Sequence, residues 1–586
     1  MNMFKFIIIL NFILLFSYNS LAQSFNKTIA MHGSTDRDAE ARDTKVNINA
    51  PINKILKLAK IGTFNSLNPY IIKGIAPPGI KGLVIESLMT WSPDEPFSLY
   101  PGIAEAIRTP KDRKWVEFKI YDEAKFSDGK SINSEDIIFS WKTLKKYGRP
   151  HTRSYYSMVK KVEEIDDKKV KFYFLDKSNF EMPLIIGLMP VLHSKYWGDK
   201  DFTKTTLEPF ISSGPYKISN IDTGRSITFI KNENWWKKDN EDSLGRYNFK
   251  KIRYDFYRDQ NVALEAFLSG EFDINIENDS VRWENSYHQN SENKIIKKTF
   301  LKKSPSGMEA IILNTRRQLF QDRNVRKAVA ILFPYEFINK VVNHGLLKQT
   351  YGPWDNSELS ARKSPSDIAN ILLSKYKDNI SRDALEQIEN LPINERETIR
   401  ESISLLKASG WEIINQKMTN IKSGKPLSFE IITNKNKMEK MLLIWKDKLK
   451  KIGVNLNIRI IDSSQFQNRI QTFDFDAIIF QYYMSLSPGN EQSIYWGSWA
   501  ADQIGSRNYA GIKHKAIDDI IQKITNAKNR KNLIEYTRIL DRILRSGKWF
   551  IPLFHDPLHR IAYQENIRIP KEIPLYGFNP WTAWEK

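Results

Sequence analysis

An α/β architecture of two or three domains is expected from three features of the chain. Two helical patterns end at glycine and run directly into strand patterns, around Gly270 and around Gly453. The length, 586 residues with 41% hydrophobic and 12% aromatic content, is enough to bury several cores. Neither an internal repeat nor a low-complexity linker interrupts the sequence.

The first segment, "MNMFKFIIILNFILLFSYNSLAQ", carries Lys5, an apolar run from Phe6 to Phe16 and a small-residue site at Ser20, Leu21 and Ala22. The run is short for a bilayer span, so residues 1–22 are expected to be a cleaved secretory signal. The chain has no cysteine, which excludes a lipidated N-terminal Cys, a disulfide framework and a thiolate metal site. No later stretch has about twenty continuous apolar residues. Export then implies a soluble protein, expected in the periplasm without stable membrane insertion.

Alternation marks strands at "KWVEFKIYD" (Val116, Phe118, Ile120), "KKVKFYFL" (Val170, Phe172, Phe174) and "GVNLNIRIID" (Val454, Leu456, Ile458, Ile460). "NSEDIIFSWKTLKKYG" is expected to be a helix capped by Asn133 or Ser134, with acids in its first turn, one face formed by Ile137, Ile138, Trp141 and Leu144, and Gly148 as its stop. "KMEKMLLIWKDKLKKIG" sets Met438, Met441, Leu442, Trp445, Leu449 and Ile452 on a similar stripe. The polar segment from Ser360 to Glu401 lacks strand signals and is expected to be a helical insertion or a long surface excursion.

The formal net charge is +21, or 21 − 1 = +20 once Lys5 is removed with the signal. Such a field favours anionic ligands, but the Lys residues are interleaved with Ile and Asn, with no continuous basic block of the nucleic-acid-tail kind. Trp235 and Trp236 in "NENWWKKDN" follow a strand-like run and are expected to pack in their own domain rather than stack bases.

A catalytic or metal centre is not assembled by the sequence. Among eight His, only "HDPLH" brings two close, and Pro557 argues against both lying on one helix face. GxxxxGK[ST], GxSxG and HExxH are absent; "GIAPPGIKG" has glycines without the Lys and Ser or Thr of a phosphate loop and is expected to be a turn or hinge. Ser24 and Lys27 form an SxxK at a terminus unsuited to catalysis. No cofactor and no metal are expected, and the chain is not expected to be an enzyme.

Eight segments occur in an order that resembles the extracellular solute-binding proteins of family 5: "GTFNSLNPY", "AKFSDGKSINSEDIIFSWKTL", "SSGPYKI", "KNENWW", "LSGEFDI", "LNTRRQLFQDRNVRKAVAILF", "LLKASGW" and "FDFDAIIF". Within that family, "AMHGSTDRD", "SYYSMVKKVEEID" and "SLSPGNEQSIYWGSWAADQIGSRNYAGIKHKAIDD" are similar to the Yej-type branch, the binding components of microcin C and oligopeptide importers. The resemblance implies a type II periplasmic-binding-protein fold: two α/β lobes closing by a hinge, with the family's extra domain. It implies a first lobe from 23–75, 207–312 and 551–586, the extra domain at 76–206 and a second lobe at 313–550. It also implies a monomer that takes an oligopeptide or modified peptide and delivers it to inner-membrane ABC permease subunits, with no nucleic-acid partner. A chaperone or interaction protein on the same fold is the alternative.

By the same resemblance, the segment after "FDFDAIIF" lies at the interlobe cleft. Tyr482 and Tyr483 would supply apolar walls, Ser485, Ser487, Asn490 and Gln492 hydrogen bonds, Glu491 a receptor for an amine, and Trp496 either wall or core. "GTFNSLNPY" nominates Phe64 and Asn65, and "SSQFQNRIQTFDFD" nominates Phe466 and Arg469, the latter able to hold a carboxylate or phosphate. "GSRN" nominates Arg507 and Asn508. Met484 and Ser485 stand where oligopeptide and dipeptide binders of the family carry an Asp for the peptide's free amine. The expected ligand therefore has a blocked or remote amine, as in formylated or muramyl-linked peptides, or Glu491 takes the place of that Asp.

Overall fold

The computed structural model describes residues 25–30, 45–96, 98–176, 180–287, 294–361, 364–377, 380–386 and 394–586. The expected signal segment, Ser24, His32, most of "AMHGSTDRD", His288 and parts of the Ser360–Glu401 segment lie outside these residues. Contacts divide the chain into two units, one extending to Ser92 and resuming over Ser98–Gln260, the other comprising Pro93–Phe97 and Asn261–Lys586.

In the first unit, strand Asn53–Ile61 pairs in parallel with Phe249–Tyr257, which continues antiparallel into Ser226–Lys231 and Tyr216–Asp222. A separate antiparallel sheet runs Ala104–Arg108, Trp115–Ile120, Lys169–Phe174, Val159–Asp166. Val116, Phe118, Ile120, Val170, Phe172 and Phe174 are all buried, as a period of two requires of one covered face. Helix Ser134–Tyr147 lies against this face, with Trp141 edge-on to Phe172 at 6.5 Å. Its cap is Asn133, whose side chain accepts the Asp136 N–H while Asp136 accepts the Asn133 N–H, and it stops at Gly148.

Trp235 and Trp236 pack inside this unit, and both indole N–H groups donate to Glu86 Oε2, at 3.3 and 3.2 Å. Burial pushes the Glu86 carboxyl up to about 7 despite these donors and the nearby Lys237. Neither ring is a platform for bases. "GIAPPGIKG" forms turns, with positive φ at Gly74, Gly79 and Gly82.

The second unit is built on a five-stranded sheet in the order Asn455–Ile460, Ser428–Thr433, Ala477–Tyr482, Met308–Leu313, Phe550–Pro552. The first three strands are parallel, and Met308–Leu313 runs antiparallel to its neighbours. Ile432, Ile478, Tyr482, Met308, Ala310 and Ile312 face one apolar layer; Ile431, Ala477, Ile479, Ile311 and Leu313 face the other. Both faces are covered by helices, so the central strands read as nearly continuous apolar runs. Helix Glu439–Lys450 covers one face through Met441, Leu442, Trp445 and Leu449. It hands over to the next strand at Gly453, where φ is +75° and a Cβ would meet the Met418 nitrogen at 2.6 Å. Elsewhere in the unit, Leu558–Gln564 pairs antiparallel with both Ile274–Glu277 and Ile295–Leu301.

The described part of the Ser360–Glu401 segment carries helix Asp367–Ser374, a 3₁₀ turn at Arg382–Ala384 and the start of helix Glu395–Ala408. Ala369, Leu373 and Ala384 belong to the same apolar layer as Tyr482, so this stretch is part of the core and more than a surface excursion. No helix among the described residues is long and apolar enough to cross a membrane.

Candidate ligand-binding site

Strand Ala477–Tyr482 ends in a loop that leads into the short helix Glu491–Trp496 and a 3₁₀ turn at Ser498–Ala501. Tyr482 ends the strand and Tyr483 follows it, and the two part company because successive extended residues point their side chains to opposite faces. Tyr482 is 1% exposed, packed against Trp496 at 4.6 Å with the rings tilted by 49°, and its hydroxyl donates to Arg507 O at 2.9 Å. Tyr483 is 78% exposed. Of the two expected walls, only Tyr483 presents its ring to solvent.

Several of the expected polar contacts are used within the fold. Gln492 is fully buried, accepting the Trp496 indole N–H at 2.8 Å and donating to Glu491 Oε1 at 2.9 Å. Asn508, also fully buried, donates to Gly497 O and Ile512 O and accepts the Ile512 N–H, each at 2.9 Å, closing the loop on itself. Asn508→Ala would take the Asn508 partner from the Ile512 N–H and C=O, while Gly497 O keeps the Ala500 N–H, and is expected to cost about 2 kcal/mol, read as a fall in the denaturant midpoint. Ser485 Oγ accepts the Ser487 N–H at 3.1 Å. Phe466 and Trp496 belong to the core, as does Phe64, whose ring lies 4.9 Å from Phe256. Exposed Asn65 holds its own turn, its Oδ1 accepting the Ile75 N–H at 2.7 Å. Arg469 donates to Glu430 Oε1 at 2.9 Å and to Asp474 O at 2.8 Å, so a carboxylate already occupies its fork.

What the loop leaves over is a smaller set. Asn490, half-buried at the start of the short helix, uses its carbonyl to accept from Ser493 while its side chain makes no cap bond. Arg507 is exposed, lies 5.9 Å from the Tyr495 ring centre and pairs with no carboxylate among the described residues. Glu491 accepts hydrogen bonds only from N–H groups of its own loop, and burial raises its carboxyl above the ordinary range. Trp499, three residues beyond Trp496, is 60% exposed. The spacing of three suggests one helix face, but Gly497 adopts extended ψ 142° and turns the chain between them.

Among the described residues no cluster of three or more His, Asp or Glu is placed to hold a metal ion. His555 interacts through Nδ1 with Thr350 Oγ1 at 3.0 Å, and His559 sits on the separate strand Leu558–Gln564.

Three comparisons bear on this arrangement. The chain is 34% identical over 555 residues to a probable peptide-binding protein, YejA, of Agrobacterium fabrum strain C58, covering 92% of this chain and 90% of that one. It is 32% identical over 581 residues to the peptidoglycan-binding protein YepA of the same organism, covering 95% and 94%. The solved structure of the oligopeptide-binding protein AppA from Bacillus subtilis, in complex with a nonapeptide, matches 92% of this chain and 100% of its own with a TM-score of 0.64 at 20% identity. The fold is thus that of the type II periplasmic binding proteins. Residues 98–503 match the model of the bacterial extracellular solute-binding proteins, family 5 Middle. The chain therefore belongs to the family 5 extracellular solute-binding proteins, which are binding proteins and not enzymes.

Proposed function

We propose that this protein is the periplasmic substrate-binding component of an ABC importer, capturing oligopeptides or peptide conjugates and delivering them, as a monomer, to inner-membrane permease subunits. The reading extends to microcin C-like, N-blocked and cell-wall-derived peptides, and residues 1–22 act in it as the export signal. Residues 23–75, 207–312 and 551–586 make up one lobe, 76–206 the extra domain and 313–550 the second lobe.

The observation that carries the reading is the surface the fold does not use for itself between Tyr483 and Arg507. Exposed Tyr483 and Trp499 offer flat apolar area, the Asn490 amide makes no cap bond, and the exposed Arg507 guanidinium, which donates to the Tyr495 hydroxyl at 3.4 Å, has further N–H groups to offer and no carboxylate partner among the described residues. Rings and adaptable polar groups suit peptides, which share a backbone and differ in side chains. The two relatives, a probable peptide-binding protein and a peptidoglycan-binding protein by name, support the same substrate class.

The test is to isolate the protein from periplasm, denature it and identify released small molecules by mass spectrometry. Peptides or muramyl peptides in stoichiometric amount are the expected result. An empty protein whose thermal unfolding also ignores peptide pools would overturn the reading in favour of a chaperone or interaction role.

A further inference from the structure

The turn "GIAPPGIKG" lacks the Lys and Ser or Thr that end a phosphate loop, yet it sets a lysine among other cations. Its glycines shape it: Gly79 has φ +90° and a Cβ there would meet the Phe229 ring at 2.9 Å, and Gly82 has φ +91°. Ile80, Leu83 and Val84 are fully buried, which leaves Lys81 on the outside of the turn. There its ammonium lies 5.1 Å from the centre of the Tyr70 ring. Arg149, which follows the helix stop at Gly148, comes to the same two residues. Its backbone N–H donates to Tyr70 O at 3.0 Å and its Nε to Pro69 O at 3.2 Å. Pro150 then opens the short helix Pro150–Tyr156, which carries His151 in its first turn.

Ring and carbonyl contacts hold Lys81 and Arg149 here, and no carboxylate does. The side chains of Lys81 and His151 have no hydrogen bond or ion pair among the described residues, and the two terminal nitrogens of Arg149 donate to nothing there. Partial burial and the Arg149 charge lower the Lys81 ammonium; partial burial, Arg149 and Lys81 lower His151. The chain's general lysine excess does not account for this. Lys119, Lys168, Lys200, Lys231, Arg113 and Arg253 of the same unit are shifted too, and a carboxylate acts on each of them. Only cations act on Lys81 and His151. Like charges brought together repel, and an anion among them reverses the sign of the interaction. An ammonium, the free fork of a guanidinium and an imidazolium supply the donors that a group with several acceptor oxygens needs.

The structure assigns Lys81, Arg149 and His151 as a seat for an oxyanion, a carboxylate or phosphate-type group with two or more acceptor oxygens. The seat lies within the first unit and goes beyond peptide capture, since its chemistry needs no peptide backbone. The anion arrives either free or as part of a larger ligand, and both present the same oxygens.

Full-length protein is titrated calorimetrically with sulfate, and separately with a tripeptide ending in a free carboxylate, the C-terminal amide of that tripeptide, and its phosphoserine counterpart. The parent is expected to take up sulfate, with a severalfold loss of affinity in Lys81→Met and in His151→Gln and at least a tenfold loss in the double variant. Both side chains are exposed, so the melting temperatures are expected to match the parent's. Sulfate that competes with the acidic tripeptides, themselves bound more tightly than the amide, identifies a ligand-borne anion; sulfate that binds without competing identifies a free one. The charged groups facing His151 are Lys81 and Arg149, both cations, so its ring is mostly neutral at pH 7. Sulfate keeps its charge between pH 7 and pH 5, and its affinity for the parent is expected to rise as pH falls through that range while His151→Gln shows no such gain. A parent that ignores sulfate and binds acid and amide tripeptides alike overturns the seat and leaves peptide capture intact, as do variants that bind every probe like the parent. Binding of none of the probes overturns both.

Discussion

Arg545→Ala is expected to destabilise the protein by about 3–5 kcal/mol, the usual consequence of removing one partner from a buried ion pair. Arg545, on helix Arg530–Gly547, holds Asp541 at 2.7 Å, Asp355 at 2.8 Å and Ser360 Oγ at 2.9 Å. Asp541 is fully buried, and burial already raises its carboxyl against the pull of Arg545, with Asp355 pushing the same way. Without the guanidinium, two carboxylates share a dry site and one must take up a proton. A group whose folded pKa is raised contributes stability at low pH and loses it as pH climbs through that value. The variant's deficit in urea midpoint should therefore be larger at pH 8 than at pH 5. Arg545→Met combined with Asp541→Asn should recover part of the loss, and a deficit independent of pH would mean that packing, not charge, is what Arg545 supplies.

This network was invisible in the sequence. Gly352 is fitted to it, since a Cβ there would lie 2.2 Å from Asp541 Oδ1. The partners are brought together from Asp355, Ser360 and the distant helix by tertiary packing alone. Local signals fared better. The cap at Asn133, the stop at Gly148 and the alternation of Val116, Phe118 and Ile120 are set by neighbours three or four residues away, and the structure has them in those places. The hairpin Trp411–Ile414 with Lys417–Asn420 escaped because its turn is Asn415 and Gln416, both at positive φ, and not the Asn-Gly that usually marks such a turn.

At the candidate site, the sequence pointed to one loop and blurred the roles within it. Nothing local distinguishes Tyr482 from Tyr483, since which face of a strand end remains covered depends on Trp496 and Phe550. Nor does composition reveal that Gln492 and Asn508 donate inward, or that Arg469 already has Glu430, some forty residues earlier, as its carboxylate. Polar residue types announce hydrogen-bonding capacity; only the fold decides whether that capacity remains free.

The two tryptophans of "YWGSW" turn that distinction into a measurable contrast. Trp496 is fully buried, with Tyr482 at 4.6 Å, Phe550 at 5.2 Å and Tyr495 at 5.8 Å around its ring. Trp496→Ala should cost about 3–5 kcal/mol from the lost contacts and the cavity, and it strands the Gln492 oxygen that accepts the indole N–H. Trp496→Phe should restore much of the stability and leave only that oxygen unsatisfied, a penalty of about 1–3 kcal/mol. Trp499 is mostly exposed, so Trp499→Ala should change stability by no more than about 0.5 kcal/mol. If the ring is part of the peptide surface, the same variant should lose severalfold in peptide affinity at an unchanged denaturant midpoint. The opposite pattern, stability lost at Trp499 with binding intact, would remove that ring from the site and leave Tyr483 as the exposed aromatic available to a ligand.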